Sequence, residues 1–275
     1  MSRRNGVAPP PVLGILAIVG AGLLALPLLG LVAKAPWGSA LSDLTSSDAL
    51  QALKLSLICS LAATALALLL GLPLAWVQAR LDFRGVNLLR GLTTLPMVLP
   101  PVVAGVALLY AFGRHGLAGE YLFSWFGFRL PFTTAGVILA ETFVSMPFLV
   151  ITVEAGLRSM NPRLEEAAAT LGASRRRILG LVTLPVIAPS IYAGALLCWS
   201  RALGEFGATI TFAGNFPGQT QTVPLAVFQL LETQPEAAVM LSLVLVLISL
   251  AVLVGLRDRY LSPDSQIRGR RGSVD

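Results

Sequence analysis

The chain has 275 residues, of which 55% are hydrophobic and only 12% charged, about half the charged fraction of an ordinary soluble domain. Too few charges remain to clothe a soluble globule. The net charge of +6 sits beside apolar runs rather than in a basic stripe with interleaved aromatics, which excludes nucleic acid as a partner and points to the lipid bilayer as solvent. Cys59 and Cys198 lie inside apolar runs and His115 is the one histidine, so neither a disulfide framework nor a zinc cluster is expected.

A helix needs about 20 residues to cross a hydrocarbon layer of about 30 Å, because each backbone amide must bond within its own segment. Six segments qualify. The first is Val12 to Val32, within a stretch uncharged from Asn5 to Ala33 that is too long for a secretory leader and reads as an uncleaved span. Next come Leu55 to Val77 and Leu92 to Phe112. In the latter Pro96, Pro100 and Pro101 each remove an amide donor and are expected to kink or break the helix. Leu130 to Val153, interrupted by Glu141, then Ile178 to Ser200 and Ala237 to Leu256 complete the set. No repeat of fixed period is evident.

Orientation follows from the distribution of Lys and Arg. The termini and even loops together hold fifteen: Arg3, Arg4, Arg80, Arg84, Arg90, Arg158, Arg163, Arg175, Arg176, Arg177, Arg257, Arg259, Arg268, Arg270 and Arg271. The odd loops hold five, Lys34, Lys54, Arg114, Arg129 and Arg201. Both termini are therefore expected in the cytoplasm, with Ala202 to Ala237 on the outer side and a short, basic, disordered tail after Arg257.

Between the fourth and fifth spans, residues 154 to 185 read EAGLRSMNPRLEEAAATLGASRRRILGLVTLP, a pattern of two short helices joined by a turn. Asn161 can cap the first, with Pro162 at its first position and Glu165 and Glu166 in its first turn, where carboxylates meet the positive end of the dipole. Ala167, Ala168 and Ala169 leave a slender surface that a partner's groove could approach. Gly172 suits the left-handed residue after a helix, and Ser174 can cap the next. Arg175, Arg176 and Arg177 oppose the dipole there and are better explained by lipid headgroups or by the positive-inside rule.

The spacing Glu166, Ala167, Ala168, three residues, Gly172, eleven residues, Leu184, Pro185 resembles the signature of ATP-binding-cassette importer permeases, with Val182 where that family usually has isoleucine. LPMVLPPVVAGVALLYAFGRHG at 95 to 116 and SRALGEFGATITFAGNFPGQTQTVP at 200 to 224 are similar to segments of the molybdate permease family. The core from Arg201 to Gly207 is shared with sulfate and thiosulfate permeases. The resemblance implies an all-α membrane fold of about six spans, the type-1 importer permease, with a coupling loop that docks on an ATPase. It implies a homodimer, two cytoplasmic ATPase subunits and an extracytoplasmic molybdate-binding protein. In it Glu166 to Gly172 would be the coupling element, with Leu184 and Pro185 starting the next span. The chain divides into residues 1–49 (tip, first span and outer loop), 50–256 (permease domain) and 257–275 (tail).

No phosphate-cradling loop is present: the two lysines, Lys34 and Lys54, do not follow glycines, so ATP and its Mg²⁺ are expected on a separate polypeptide. An intramembrane enzyme would need HExxH, GxSxG or paired aspartates within the spans, which are missing, and a passive channel would need no coupling loop. Charges within the spans require a reason. Arg201 and Glu205 are four apart, so they can pair on one helical face, or Arg201 can offer a transient contact to an oxyanion on a path that also includes Thr209, Thr211 and Asn215. Glu141 would repel an anion and is expected to face another helix or to carry a proton.

Overall fold

The computed structural model describes residues 11–40 and 44–260, with side chains through Ala251. Arg3, Arg4 and the tail beyond Tyr260 lie outside the described residues, as do the side chains of Arg257 and Arg259. The helices are α1 (Pro11–Ala33), α2 (Ser47–Arg80), α3 (Val86–Val98), α4 (Pro101–Phe112), α5 (Gly119–Phe126), α6 (Thr134–Ser159), α7 (Arg163–Thr170), α8 (Arg175–Leu203), α9 (Gly207–Ala213), α10 (Val223–Thr233) and α11 (Pro235–Tyr260). No strand occurs among the described residues.

Four of these, α1, α2, α6 and α8, are long and apolar enough to cross a membrane, and α11 carries an apolar run from Pro235 to Ala251. The expected third span is two pieces. Leu99 and Pro100 are extended between α3 and α4, because Pro100 and Pro101 lack the amides a continuous helix would use. At 13 and 12 residues, neither piece alone reaches across about 30 Å. α2 begins earlier than expected, at Ser47, where the Ser46 side chain accepts a hydrogen bond from Ala49 N at 3.3 Å and Asp48 occupies the first turn. α6 begins later than expected, behind Pro131, with the Thr133 hydroxyl accepting from Gly136 N at 3.1 Å.

α2, α6 and α8 form the centre of the bundle. The buried face of α2 is built of small residues, Ala49, Ala52, Ser56, Cys59, Ser60, Ala63, Thr64, Ala67, Gly71 and Ala75, with Gln78 at its end. Their spacing of three or four residues keeps them on one helical stripe. Lipid supplies no hydrophobic force between helices, so close backbone approach and interhelical hydrogen bonds must hold them together. Both are present. A methyl group on Gly71 would press on Leu149 and Val150 of α6 at 3.2 Å, and one on Gly194 of α8 would press on Leu149 at 3.1 Å. Trp199 Nε1 donates to Ser60 Oγ at 2.9 Å, Cys198 Sγ to Ser145 Oγ at 3.2 Å, and the free amide at the start of α10, Val223 N, to Ser56 Oγ at 2.7 Å.

The segment from Gly204 to Pro224, whose Gly, Thr, Asn and Gln content suits either a re-entrant segment or a loop, folds back into the protein. α9 packs against α4 and α6 through Ala208 and Phe212, which meet Ala104, Leu108, Ala140 and Val144. Two glycines permit this: a Cβ on Gly105 would meet the Thr211 side chain, and one on Gly207 would meet Pro101. α10 then packs on the start of α2 and on α11 through Ala49, Ala52, Val223, Ala226 and Leu241. By contrast α1 buries no residue; Leu31 near its end, with Ala35 just beyond it, packs against Met240 and Leu243 of α11.

Replacing Ser56 by Ala leaves the buried Val223 amide without a partner and should destabilise the chain by about 1–3 kcal/mol. Ser249→Ala, which loses a bond only to its own helix at Leu245 O, should be close to neutral. Unfolding of the two purified variants in a denaturing-detergent titration checks the difference.

Candidate functional site

The loop after α6 is made as its residues dictate. Asn161 Oδ1 accepts from Arg163 N at 3.1 Å, and Glu165 and Glu166 stand in the first turn of α7. At the other end Ala173 N donates to Ala168 O at 3.1 Å and Gly172 N to Ala169 O at 3.0 Å, the paired bonds that close a helix around a left-handed residue. That residue is Gly172, with φ +82°. Ser174 holds the next cap position, but its side chain makes no capping bond.

Glu166, Ala167, Ala169, Thr170, Leu171 and Gly172 are exposed, Leu171 to 88%, and Ala168 is half-buried. An alanine helix ending in a bare leucine gives a shallow apolar surface with one carboxylate beside it. Glu165 turns the other way. Its Oε1 lies 3.1 Å from an Arg80 guanidinium nitrogen at the end of α2 and accepts from the Thr183 hydroxyl at 2.6 Å. Arg80 also lies over the Trp76 ring, 5.7 Å from its centroid. One carboxylate therefore ties α7 to both α2 and α8.

Thr183 ends a π-helical turn, Leu179–Thr183, inside α8. Pro185 lacks the amide that would bond the Leu181 carbonyl, and the Leu184 amide instead reaches back to Leu179 O. α-Helical geometry resumes at Leu184, with Pro185 in the first turn of the segment Leu184–Leu203. Leu184 and Pro185 thus mark a change of register within one rod rather than its beginning.

Beside this joint is a second cluster that sequence reasoning treated only as topology signal. Glu154 of α6 pairs with Arg90 of α3 at 2.9 Å and with Arg158 at 2.8 Å. Arg90 also donates to Gln78 O at 2.6 Å, and the buried Gln78 side chain donates to Thr93 Oγ1 at 2.6 Å. The ends of α2, α3 and α6 are joined there. The spacing of Glu154 and Arg158 was the one available signal; Arg90 lies 64 residues from Glu154 in sequence.

The opposite end of α8 carries the second candidate group. Arg201 pairs with Glu205 at 2.6 Å; Arg201 is 31% exposed and Glu205 is 1% exposed. Glu205 Oε1 also accepts from Ala208 N at 2.8 Å, so it caps α9 and stands at the positive end of that short helix. Of the remaining path candidates, Thr209 is fully buried and its hydroxyl has no hydrogen-bond partner among the described residues. Thr211 donates to Gly207 O at 2.9 Å, and Asn215 donates to Gln229 Oε1 at 3.2 Å. Glu141 is buried in α6, one of its oxygens also unpartnered among the described residues. The loop residues and the Arg201 pair do not meet; the 29 residues of α8 join them, a rod of about 43 Å.

The sequence profile of the binding-protein-dependent transport system inner membrane component family matches residues 67–266. The chain is 46% identical over 243 residues to the molybdenum transport system permease protein ModB of Mycobacterium bovis, covering 88% of this chain and 92% of that one. It is 37% identical over 228 residues to the sulfate transport system permease protein CysT of Escherichia coli K12, covering 81% and 82%. Among solved structures, a bacterial ABC transporter involved in the import of the acidic polysaccharide alginate superposes with a TM-score of 0.70 at 19% identity, covering 92% of this chain and 95% of that one. With its permease fold, its exposed loop helix and these relatives, the chain belongs to the family of binding-protein-dependent transport system inner membrane components.

Proposed function

We propose that the chain is the membrane subunit of an ATP-driven importer for molybdate, working as a homodimer with two cytoplasmic ATPase subunits and an extracytoplasmic molybdate-binding protein. The observation that carries the reading is the joint at Glu165. The exposed strip from Glu166 to Gly172 is the docking surface, and Glu165 behind it is bonded to Arg80 and Thr183. A push on α7 by an ATPase that closes on ATP and Mg²⁺ is passed to α2 and α8 together. The π turn lets the loop end of α8 rotate against the rest, and the rod carries the displacement to Arg201 and α9. Both termini and the loop lie in the cytoplasm on this reading, which the fifteen-to-five distribution of cations supports.

At the far end Arg201 is the half-exposed member of its pair, and Glu205 is occupied in capping α9. The guanidinium can therefore turn toward a passing dianion while Glu205 stays fixed. A contact that competes with an ion pair is weak, which suits passage rather than retention. Molybdate is favoured over sulfate by the greater identity to the molybdenum permease than to the sulfate permease.

Uptake of labelled molybdate into vesicles holding the whole assembly tests the cargo: tungstate should compete and sulfate should compete poorly. Preferential sulfate uptake would overturn the substrate and leave the fold untouched. At the loop, Gly172→Val should lower uptake at least about tenfold with normal membrane insertion, because a β-branched residue is strained at positive φ. Open space surrounds the position, so Gly172→Asn, which tolerates that conformation, should retain most activity. Equal loss in both variants would mean that side-chain bulk, not backbone strain, is the cause. Glu165→Gln and Thr183→Val should each uncouple the assembly, with ATP hydrolysis persisting while uptake falls several-fold, and the double variant should be little worse than either single one.

A further inference from the structure

The end of the bundle opposite α7 carries a feature that the proposed coupling path from α7 along α8 does not involve. Exposed aromatic side chains are scattered over several elements, but one group of five is concentrated in a short stretch. The exposed large apolar residues of α1 are aliphatic throughout, whereas Tyr121, Trp125, Phe126, Phe128 and Phe132 gather on α5 and the turn after it, Trp125 73% and Phe126 74% exposed. Aliphatic residues suit the hydrocarbon interior, and Tyr and Trp collect where hydrocarbon meets headgroups.

Two cations stand among these rings. The Arg114 and Arg129 guanidiniums both stack on Phe123, 4.7 and 4.8 Å from its centroid. Both line a cavity of about 250 Å³ whose other walls, including Leu109, Phe112, Phe128 and Phe132, are apolar. Neither arginine makes an ion pair among the described residues, and Glu120, the carboxylate of α5, is paired with neither. Arg114 and Arg129 are both exposed, and two like charges held on one ring beside apolar walls, with no ion pair among the described residues, suit an anion that meets both. A small hydrated oxyanion would gain nothing from the apolar walls or the bare aromatic rim; an amphiphile would use both.

We propose that Arg114 and Arg129 clamp the phosphate of a membrane phospholipid, with its chains lying along the aromatic face of α5. The proposal rests on membership of an inner-membrane family and is independent of the cargo. The clamp anchors α5 at the interface and so steadies the turn that joins α4 to α6, next to the contact between α4 and α9.

The test is native mass spectrometry of the full chain, delipidated in detergent and titrated with phosphatidylglycerol or with a diacylglycerol of the same chains. The wild type should bind phosphatidylglycerol at least about tenfold more tightly than the diacylglycerol, and Arg114→Gln/Arg129→Gln should lose that preference with its thermal unfolding unchanged. Trp125→Ala/Phe126→Ala should weaken both lipids. Equal binding of the two lipids by the wild type, or an undiminished preference in the arginine variant, would overturn the proposal. Displacement of the lipid by millimolar inorganic phosphate or molybdate would assign the clamp to a free oxyanion instead. Loss of the lipid on assembly with the other subunits would assign this face to a protein partner.

Discussion

The structure depends on one constraint: within hydrocarbon, helices are not driven together by the exclusion of water, so they must meet through close approach and internal hydrogen bonds. The small-residue stripe of α2 answers it. Because those side chains end at Cβ or one atom beyond, Leu149 and Val150 of α6 can reach the α2 backbone, and Ser56 and Ser60 remain available to bond α10 and α8. Larger residues on this stripe would separate the helices and strand the same polar groups in an apolar medium.

The polar joints between elements lie at the ends of that centre. At one end, short elements are joined by charged groups: Glu165 holds α7 to α2 and α8, and Glu154 holds α6 to α3. At the other, α9 is inserted between α4 and α6 and is capped by a carboxylate whose partner is partly free. α8 reaches both ends, and its one irregularity, the π turn, lies at the loop end. Two neighbouring glutamates divide the labour of the loop. Glu166 faces outward with the alanine surface, and Glu165 faces inward to the bundle.

The loop was legible residue by residue because its signals are local. Asn161, the glutamates of the first turn and Gly172 act within four or five positions of themselves, and each stands where its chemistry requires. The break before α4 was legible for the same reason, since Pro100 and Pro101 lack amides in any context. Ser174 was misread because a cap preference says nothing of where a particular hydroxyl turns. α9 was harder still. Its run of Gly, Ala and Thr suits a re-entrant segment and an outer loop equally, and the glycines at 105 and 207 on facing segments allow it to be buried.

Composition, periodicity and local capping signals alone determined that the chain belongs in a membrane, where its apolar runs lie, and that its loop is a capped helix with a glycine stop. These are consequences of local covalent structure and of the cost of charge in hydrocarbon. The tertiary structure alone decided that Arg80, Glu165 and Thr183 form one joint, that Arg90 and Glu154 form another, and that Thr209 is enclosed. It also decided that Arg114 and Arg129 share a ring. The physical reason is distance along the chain: an arginine's charge is written in its own position, but its partner is chosen by how distant helices pack.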